Sequence, residues 1–166
     1  MKKAKIIIPI TLLVALMGIV LYYTRPMTLS QICFGVDMDQ CESVSGYYFI
    51  APGVDDSPFE IDQDDEKLSQ ILELFDTRKF SKSLVNLLPR GNKTHQLQEG
   101  DFKWEILFEF SDVTYPDGST NSGTLIRVSN FFGVIEVHFN GDVWRCSTSD
   151  KEEWLSNVMS LISNSQ

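Results

Sequence analysis

The sequence predicts an α+β protein: an N-terminal transmembrane helix followed by an antiparallel β-sheet domain with helices packed on one face. Three features predict it: an uncharged apolar run over 6–23, a strand-like alternation over 102–110, and a two-residue turn signal at Asn140-Gly141. Tight turns join strands that pair antiparallel. Amphipathic helices then bury their apolar stripe against one face of such a sheet.

The first element is the apolar run, which begins after Lys2, Lys3 and Lys5 and carries no charge. Eighteen residues rise about 27 Å as a helix, close to the roughly 30 Å of a hydrocarbon core. The lysines outweigh Arg25 on the far side, which favours a cytoplasmic N-terminus. We therefore expect 1–5 in the cytoplasm, a transmembrane signal anchor over 6–23, and an extracytoplasmic α+β domain over 27–166, at the cell membrane.

Two alternatives to an anchor remain open, namely a cleaved signal peptide and a buried helix. A secretory signal usually has an apolar core of about 7–15 residues and small residues at its cleavage site. Here the run is longer and ends in Tyr22 and Tyr23, which suit the headgroup level of a membrane. The pattern favours the anchor.

The charge of the domain limits its partners. All 23 acidic residues lie beyond Pro26, while four of the 14 basic residues precede it, so the domain has a net charge of 10 − 23 = −13. Such a domain repels nucleic acid, and no nucleic-acid partner is expected. Its length suits one domain with a real core.

In the first half of the domain, Thr28 and Gln31 form a capping box that opens a short helical turn, with Gly35 at its stop. Strands are predicted over 43–50 and 59–61. A helix is predicted from Asp62, because its apolar residues recur at helical spacing. After it, 80–88 is predicted to be a second short helix or an ordered helical loop. The stripe of the first helix consists of Leu68, Ile71, Leu72 and Phe75.

In the second half, aromatic residues alternate with mostly charged ones over 102–110, which is strand period. Further strands are predicted over 124–129 and 132–139. Ser149 and Glu152 match a capping box before a terminal helix. The apolar stripe of that helix is Trp154, Leu155, Val158, Leu161 and Ile162.

The Asn140-Gly141 turn fixes a register, because a two-residue type I′ loop makes its flanking residues direct partners. Phe139 then faces Asp142, and the pairing continues inward along both strands. Directly opposed side chains share a face. The predicted pairs put Ile135, Val137, Trp144 and Cys146 on one apolar face, and Glu136 and Arg145 on the other as an ion pair.

Several residues invite a chemical interpretation. An irregular calcium site at Asp62, Asp64 and Glu66 competes with helix capping, which we favour because the EF-hand template does not fit. A Cys–His hydrolase pair is disfavoured, because the register separates His138 from Cys146. Further candidates are His95, the paired carboxylates Glu105 and Glu109, a possible Cys33–Cys41 disulfide, and a glycosylation sequon at Asn92 and Thr94.

The aromatic column of 102–110 is interpreted as core, with a pocket for an apolar ligand as the alternative. No residue is assigned a catalytic, cofactor-binding or metal-ligating role, and no cofactor is expected. The leading hypothesis is a non-enzymatic, membrane-anchored binding module of the cell envelope with an envelope protein as partner. The alternatives are a sensor of small apolar ligands or lipids, and an envelope hydrolase with an unrecognised site.

Overall fold

The computed structural model describes residues 2–53, 56–87, 96 and 98–164, with side chains from Pro9 onward. The helices are α1 (Lys2–Tyr23), α2 (Leu29–Ile32), α3 (Glu66–Asp76) and α4 (Lys151–Ser163), with short 3₁₀ turns at Met38–Gln40 and Leu84–Leu87. The strands are β1 (Pro26–Met27), β2 (Ser43–Ile50), β3 (Ser57–Asp62), β4 (Phe80–Lys82), β5 (Phe102–Thr114), β6 (Thr120–Phe131), β7 (Val134–Phe139) and β8 (Asp142–Ser147).

The strands form one eight-stranded sheet in the order β1-β4-β8-β7-β6-β5-β2-β3. Every pairing in it is antiparallel, so the predicted α+β class with an antiparallel sheet is confirmed. In the part of the chain that the structure describes, no helix combines the length and the apolarity that crossing a membrane requires.

The hairpin of β7 and β8 has the predicted register. Phe139 pairs with Asp142, and the pairs continue to Ile135 and Cys146. Asn140 and Gly141 have φ values of 50° and 83°, as a type I′ turn requires. The register inferred from the turn chemistry is therefore confirmed.

Other predicted bounds differ from the structure. Phe80 begins a short strand rather than a helix, because β4 adds to the free edge of β8. The helix expected from Asp62 begins later, with Asp65 as its N-cap. The prediction of a capping box at Ser149 and Glu152 is wrong. Helix α4 follows Asp150, which adopts a left-handed conformation and makes no side-chain cap hydrogen bond.

The core lies between one face of the sheet and the helices α3 and α4. The Phe75 ring of α3 packs edge-on against Trp104 and Phe108 at centroid distances of 6.0 and 5.1 Å. Trp154 of α4 packs edge-on against Trp104 at 5.9 Å and donates from Nε1 to the Leu74 carbonyl at 3.0 Å. Of the β5 column, Trp104, Ile106, Phe108 and Phe110 are buried, whereas Phe102 is half-buried. We call this face the covered face and the opposite one the open face.

Gly46 of β2 lies in close contact with the neighbouring strand β5. A Cβ built there would lie 2.0 Å from the Glu105 backbone oxygen and 3.1 Å from the Phe59 ring. Only glycine permits this approach between β2 and β5. The position of Tyr47 beside β5 depends on it.

Candidate functional site

The open face brings six polar side chains together from five strands; we call them the open-face cluster. Cross-strand pairing runs from Tyr47 to Glu105, Ser129, Glu136 and Arg145, so these residues form one row across the sheet. In the neighbouring row Arg127 pairs with His138. The cluster consists of Tyr47, Glu105, Arg127, Glu136, His138 and Arg145, and five of the six border a depression of about 180 Å³.

Arg127 links the two rows. Its Nη1 lies 3.7 Å from Glu105 Oε2, and its Nη2 lies 3.0 Å from His138 Nδ1. A guanidinium can only donate hydrogen bonds. His138 Nδ1 therefore accepts, and the neutral ring carries its proton on Nε2, which faces Glu136 Oε2 at 3.6 Å.

Glu136 and Arg145 form the ion pair that the hairpin register predicts, with Nε to Oε1 at 2.9 Å. The backbone of Arg145 is held from the other side by Asn86, whose Oδ1 accepts from the Arg145 N–H at 2.8 Å. The Asn86 amide nitrogen donates to the Arg145 carbonyl at 3.0 Å. This amide replaces a neighbouring strand and fixes the cation that pairs with Glu136.

The electrostatics of the cluster keep His138 neutral near pH 7. Burial lowers the pKa of His138, and the Arg127 charge lowers it further, while the carboxylates of Glu136 and Glu105 oppose the shift. Burial also raises the pKa of Tyr47, and the nearby Glu105 charge adds to it.

Chemically, the cluster is a balanced set of charges. Two carboxylates face two guanidiniums, so it holds no net charge for a free anion or cation. Its side chains are partly exposed, from 20% for Glu136 to 41% for Arg127. Half-buried arginines, a tyrosine and paired charges are typical of the surfaces by which proteins recognise one another.

The cysteines lie away from this cluster. Cys146 is buried on the covered face, so the register separates it from His138 as predicted. Cys33 and Cys41 are buried free thiols and do not form the disulfide that their spacing allowed. Burial raises the pKa of Cys41 to about 11 and that of Cys146 to about 12, so neither supplies a thiolate near neutral pH.

The remaining candidates that fall within the described residues do not assemble into a site. Across the described ranges, no three His, Cys, Asp or Glu residues come close enough to hold a metal ion. Of the acids near α3, Asp65 accepts from the Lys67 N–H at 2.9 Å as a helix cap. Glu109 accepts from Ser45 Oγ at 2.9 Å, apart from the Glu105 network. His95, Asn92 and Thr94 lie outside the described residues.

The space expected for an apolar ligand is filled with aromatic rings. Trp104 and Phe108 are 1% and 0% exposed beneath Phe75, which counts against a pocket under the column. A groove of about 520 Å³ lies instead between α3 and α4. Its lining is mostly polar: Gln70, Glu73, Leu74, Thr77, Asn157, Ser160, Leu161 and Asn164.

Sequence reasoning missed the contact between Arg127 and His138. The signal was Phe132-Gly133, which forms the two-residue turn between β6 and β7 with φ values of 51° and 83°. Counting inward from that turn would have paired Arg127 with His138. The partnership of Tyr47 with Glu105 had no local signal, because β2 and β5 are distant in sequence.

Comparisons with known proteins add no relative. No protein-family model matches the chain, and neither the curated proteins nor the solved structures contain a significant match to it.

Proposed function

We propose that the chain is a membrane-anchored, extracytoplasmic binding module of the cell envelope, and that its open face binds a protein partner. The observation that carries the proposal is the open-face cluster, with paired charges and Tyr47 on a face that the helices α3 and α4 leave uncovered. Exposed apolar residues flank it, with Phe131 at 58% and Val134 at 43% exposure. Arginine and aromatic side chains with an apolar surround suit a protein interface.

The proposed anchor rests on the charge-free run 6–23 and on α1. The large apolar side chains of α1 from Ile10 to Tyr22 are mostly exposed and lie on all sides of the helix. A helix that is apolar all round is buried in a protein or in a membrane. The full chain is therefore expected to remain with membranes after alkaline carbonate washing. Recovery in the soluble fraction would contradict the anchor.

The partner proposal is tested by crosslinking intact membranes and purifying the full chain, as wild type and as Arg127→Glu. The reversed charge faces Glu105, so we expect loss of a specific crosslinked species, at about tenfold weaker binding or more. Lys79→Glu makes the same charge change at an exposed site outside the cluster and should retain the species.

Phe131→Ala is a second variant, because it removes an exposed ring without placing a charge in the cluster. It should weaken the same crosslink while the melting temperature stays near that of the wild type. If the crosslink is equally strong in Arg127→Glu, Phe131→Ala and Lys79→Glu, the open face is not the interface.

A second candidate function, an envelope hydrolase, is favoured by one observation. His138 lies between Arg127 and Glu136 beside a depression, and its neutral imidazole can act as a base at Nδ1 once a substrate displaces Arg127 from that nitrogen. Turnover in a hydrolase screen that His138→Gln abolishes, together with no specific crosslinked species, would replace the binding proposal by this one.

A further inference from the structure

The 3₁₀ turn Leu84–Leu87 has reversed polarity. Its Leu84, Val85 and Leu87 side chains are 44%, 48% and 66% exposed, whereas Asn86 points at the sheet and bonds to Arg145. Because a 3₁₀ helix repeats every three residues, Leu84 and Leu87 share one side. A solvated turn normally places its polar residues outward, so this arrangement suits apolar surroundings.

The turn is held in this orientation by backbone contacts. Ser83 N–H donates to the Arg145 carbonyl at 2.8 Å, and the Asn86 side chain makes two hydrogen bonds to the same residue. Asn86 N–H also donates to the Ser83 carbonyl at 3.1 Å. The three apolar side chains are therefore presented by a fixed segment.

Strand register places this turn beside the end of α1. Pro26 pairs with Ser81 and Met27 with Phe80, so lower numbers in β1 correspond to higher numbers in β4. Only two residues separate the end of α1 at Tyr23 from Pro26, and only one separates the end of β4 from the turn. The turn thus begins next to the point where α1 joins the domain.

We propose that the Leu84–Leu87 turn lies in the interfacial layer of the lipid bilayer, as a second membrane contact next to α1. This inference rests on the proposed anchor. A lipid bilayer is favoured as the occupant because the turn carries no charge and begins next to the point where α1 joins the domain. The Leu21 and Tyr22 side chains near that end of α1 are also exposed. Apolar side chains of surface-bound segments enter about 5–10 Å into the headgroup and acyl boundary.

The test uses the full chain reconstituted into neutral phosphatidylcholine vesicles. Val85→Cys carries an environment-sensitive fluorophore, and the wild type, whose three cysteines are buried, gives the labelling background. Ile50→Cys is the matched control, because Ile50 is 47% exposed against 48% for Val85. It lies on β2, six strands from β1 or about 29 Å across the sheet.

The Val85→Cys label should be quenched by nitroxide-bearing lipids and protected from aqueous iodide, and the Ile50→Cys label should behave in the opposite way. If Val85→Cys folds poorly, Leu87→Cys takes its place and should give the same result. Equal iodide access at both sites in vesicles that float with the protein would overturn the inference and leave the anchor intact.

Two further outcomes are informative. Protection of the Val85 label from iodide without quenching by nitroxide lipids would mean that protein, from this chain or a second copy, covers the turn, which overturns the lipid contact. Failure of the wild-type chain to float with the vesicles would overturn the anchor and, with it, this inference.

Discussion

The buried thiol of Cys146 should make the protein less stable in alkaline solution. Its side chain is 8% exposed, and Sγ donates to the Trp144 carbonyl at 3.7 Å. Burial raises the thiol pKa from 9.0 to about 12, while the charge of Lys82 opposes the shift. In the folded state the thiol therefore stays neutral at a pH where the unfolded chain ionises it.

The direction in which stability changes with pH follows from proton binding in the folded and unfolded states. Above pH 9.0 the folded state holds a proton at Cys146 that the unfolded state releases, so stability falls as pH rises. The contribution of the neutral Cys146 thiol to stability is complete below the thiol pKa of the unfolded chain. It is lost as pH rises towards the thiol pKa of the folded state, near 12. Between about pH 8 and about pH 10.5 the loss amounts to about 2 kcal/mol for this thiol.

Urea unfolding of the full chain at both pH values, with a reductant present, measures this loss. Cys146→Ala should lose about 2 kcal/mol less than the wild type between the two pH values. Any fixed cost of the missing sulfur cancels, because the same variant is compared with itself. Ser147→Ala, at the exposed next position, should follow the wild type. Equal pH dependence in Cys146→Ala and the wild type would refute the reasoning.

Three further predictions concern the sheet, the core and the open face. Gly46→Ala should fail to fold or lose well over about 3 kcal/mol in urea, because its Cβ would lie 2.0 Å from the Glu105 oxygen; wild-type stability would contradict that contact. Trp154→Phe should cost about 1–3 kcal/mol in urea by leaving the Leu74 carbonyl unpaired, and an unchanged midpoint would argue against the bond. Because the pKa of His138 is lowered in the folded state, the unfolded state binds a proton at a higher pH, so the wild type should lose stability as pH falls below 6.5. His138→Gln should lose less stability over the same range, and identical acid melting curves for the two proteins would contradict this.

Much of the fold was predictable wherever the determinant is local. The alternation along β5 and the Asn140-Gly141 turn depend on side-chain period and backbone conformation within a few residues. Both predictions are confirmed by the structure. One failure was also local: the predicted capping box at Ser149 is replaced by a left-handed Asp150, which starts α4 without a side-chain cap.

The candidate site was only half predictable. The ion pair between Glu136 and Arg145 was predictable from one turn, and it is part of the open-face cluster. The contributions of Tyr47 and Asn86 required knowing that β2 lies beside β5 and that the Leu84–Leu87 turn lies beside β8. Such contacts join residues far apart in sequence, and no short pattern specifies them.

The sequence by itself determined the periods, the turns, the helical stripes and the charge-free run at the N-terminus, because each depends on the chemistry of neighbouring residues. Only the tertiary structure decided the order of the eight strands, the addition of β4 to β8, and the grouping of charges on the open face. Strand order is a choice among distant partners that present similar backbone edges. The buried cluster of Phe75, Trp104 and Trp154 likewise draws on α3, β5 and α4, and no single segment can form it alone.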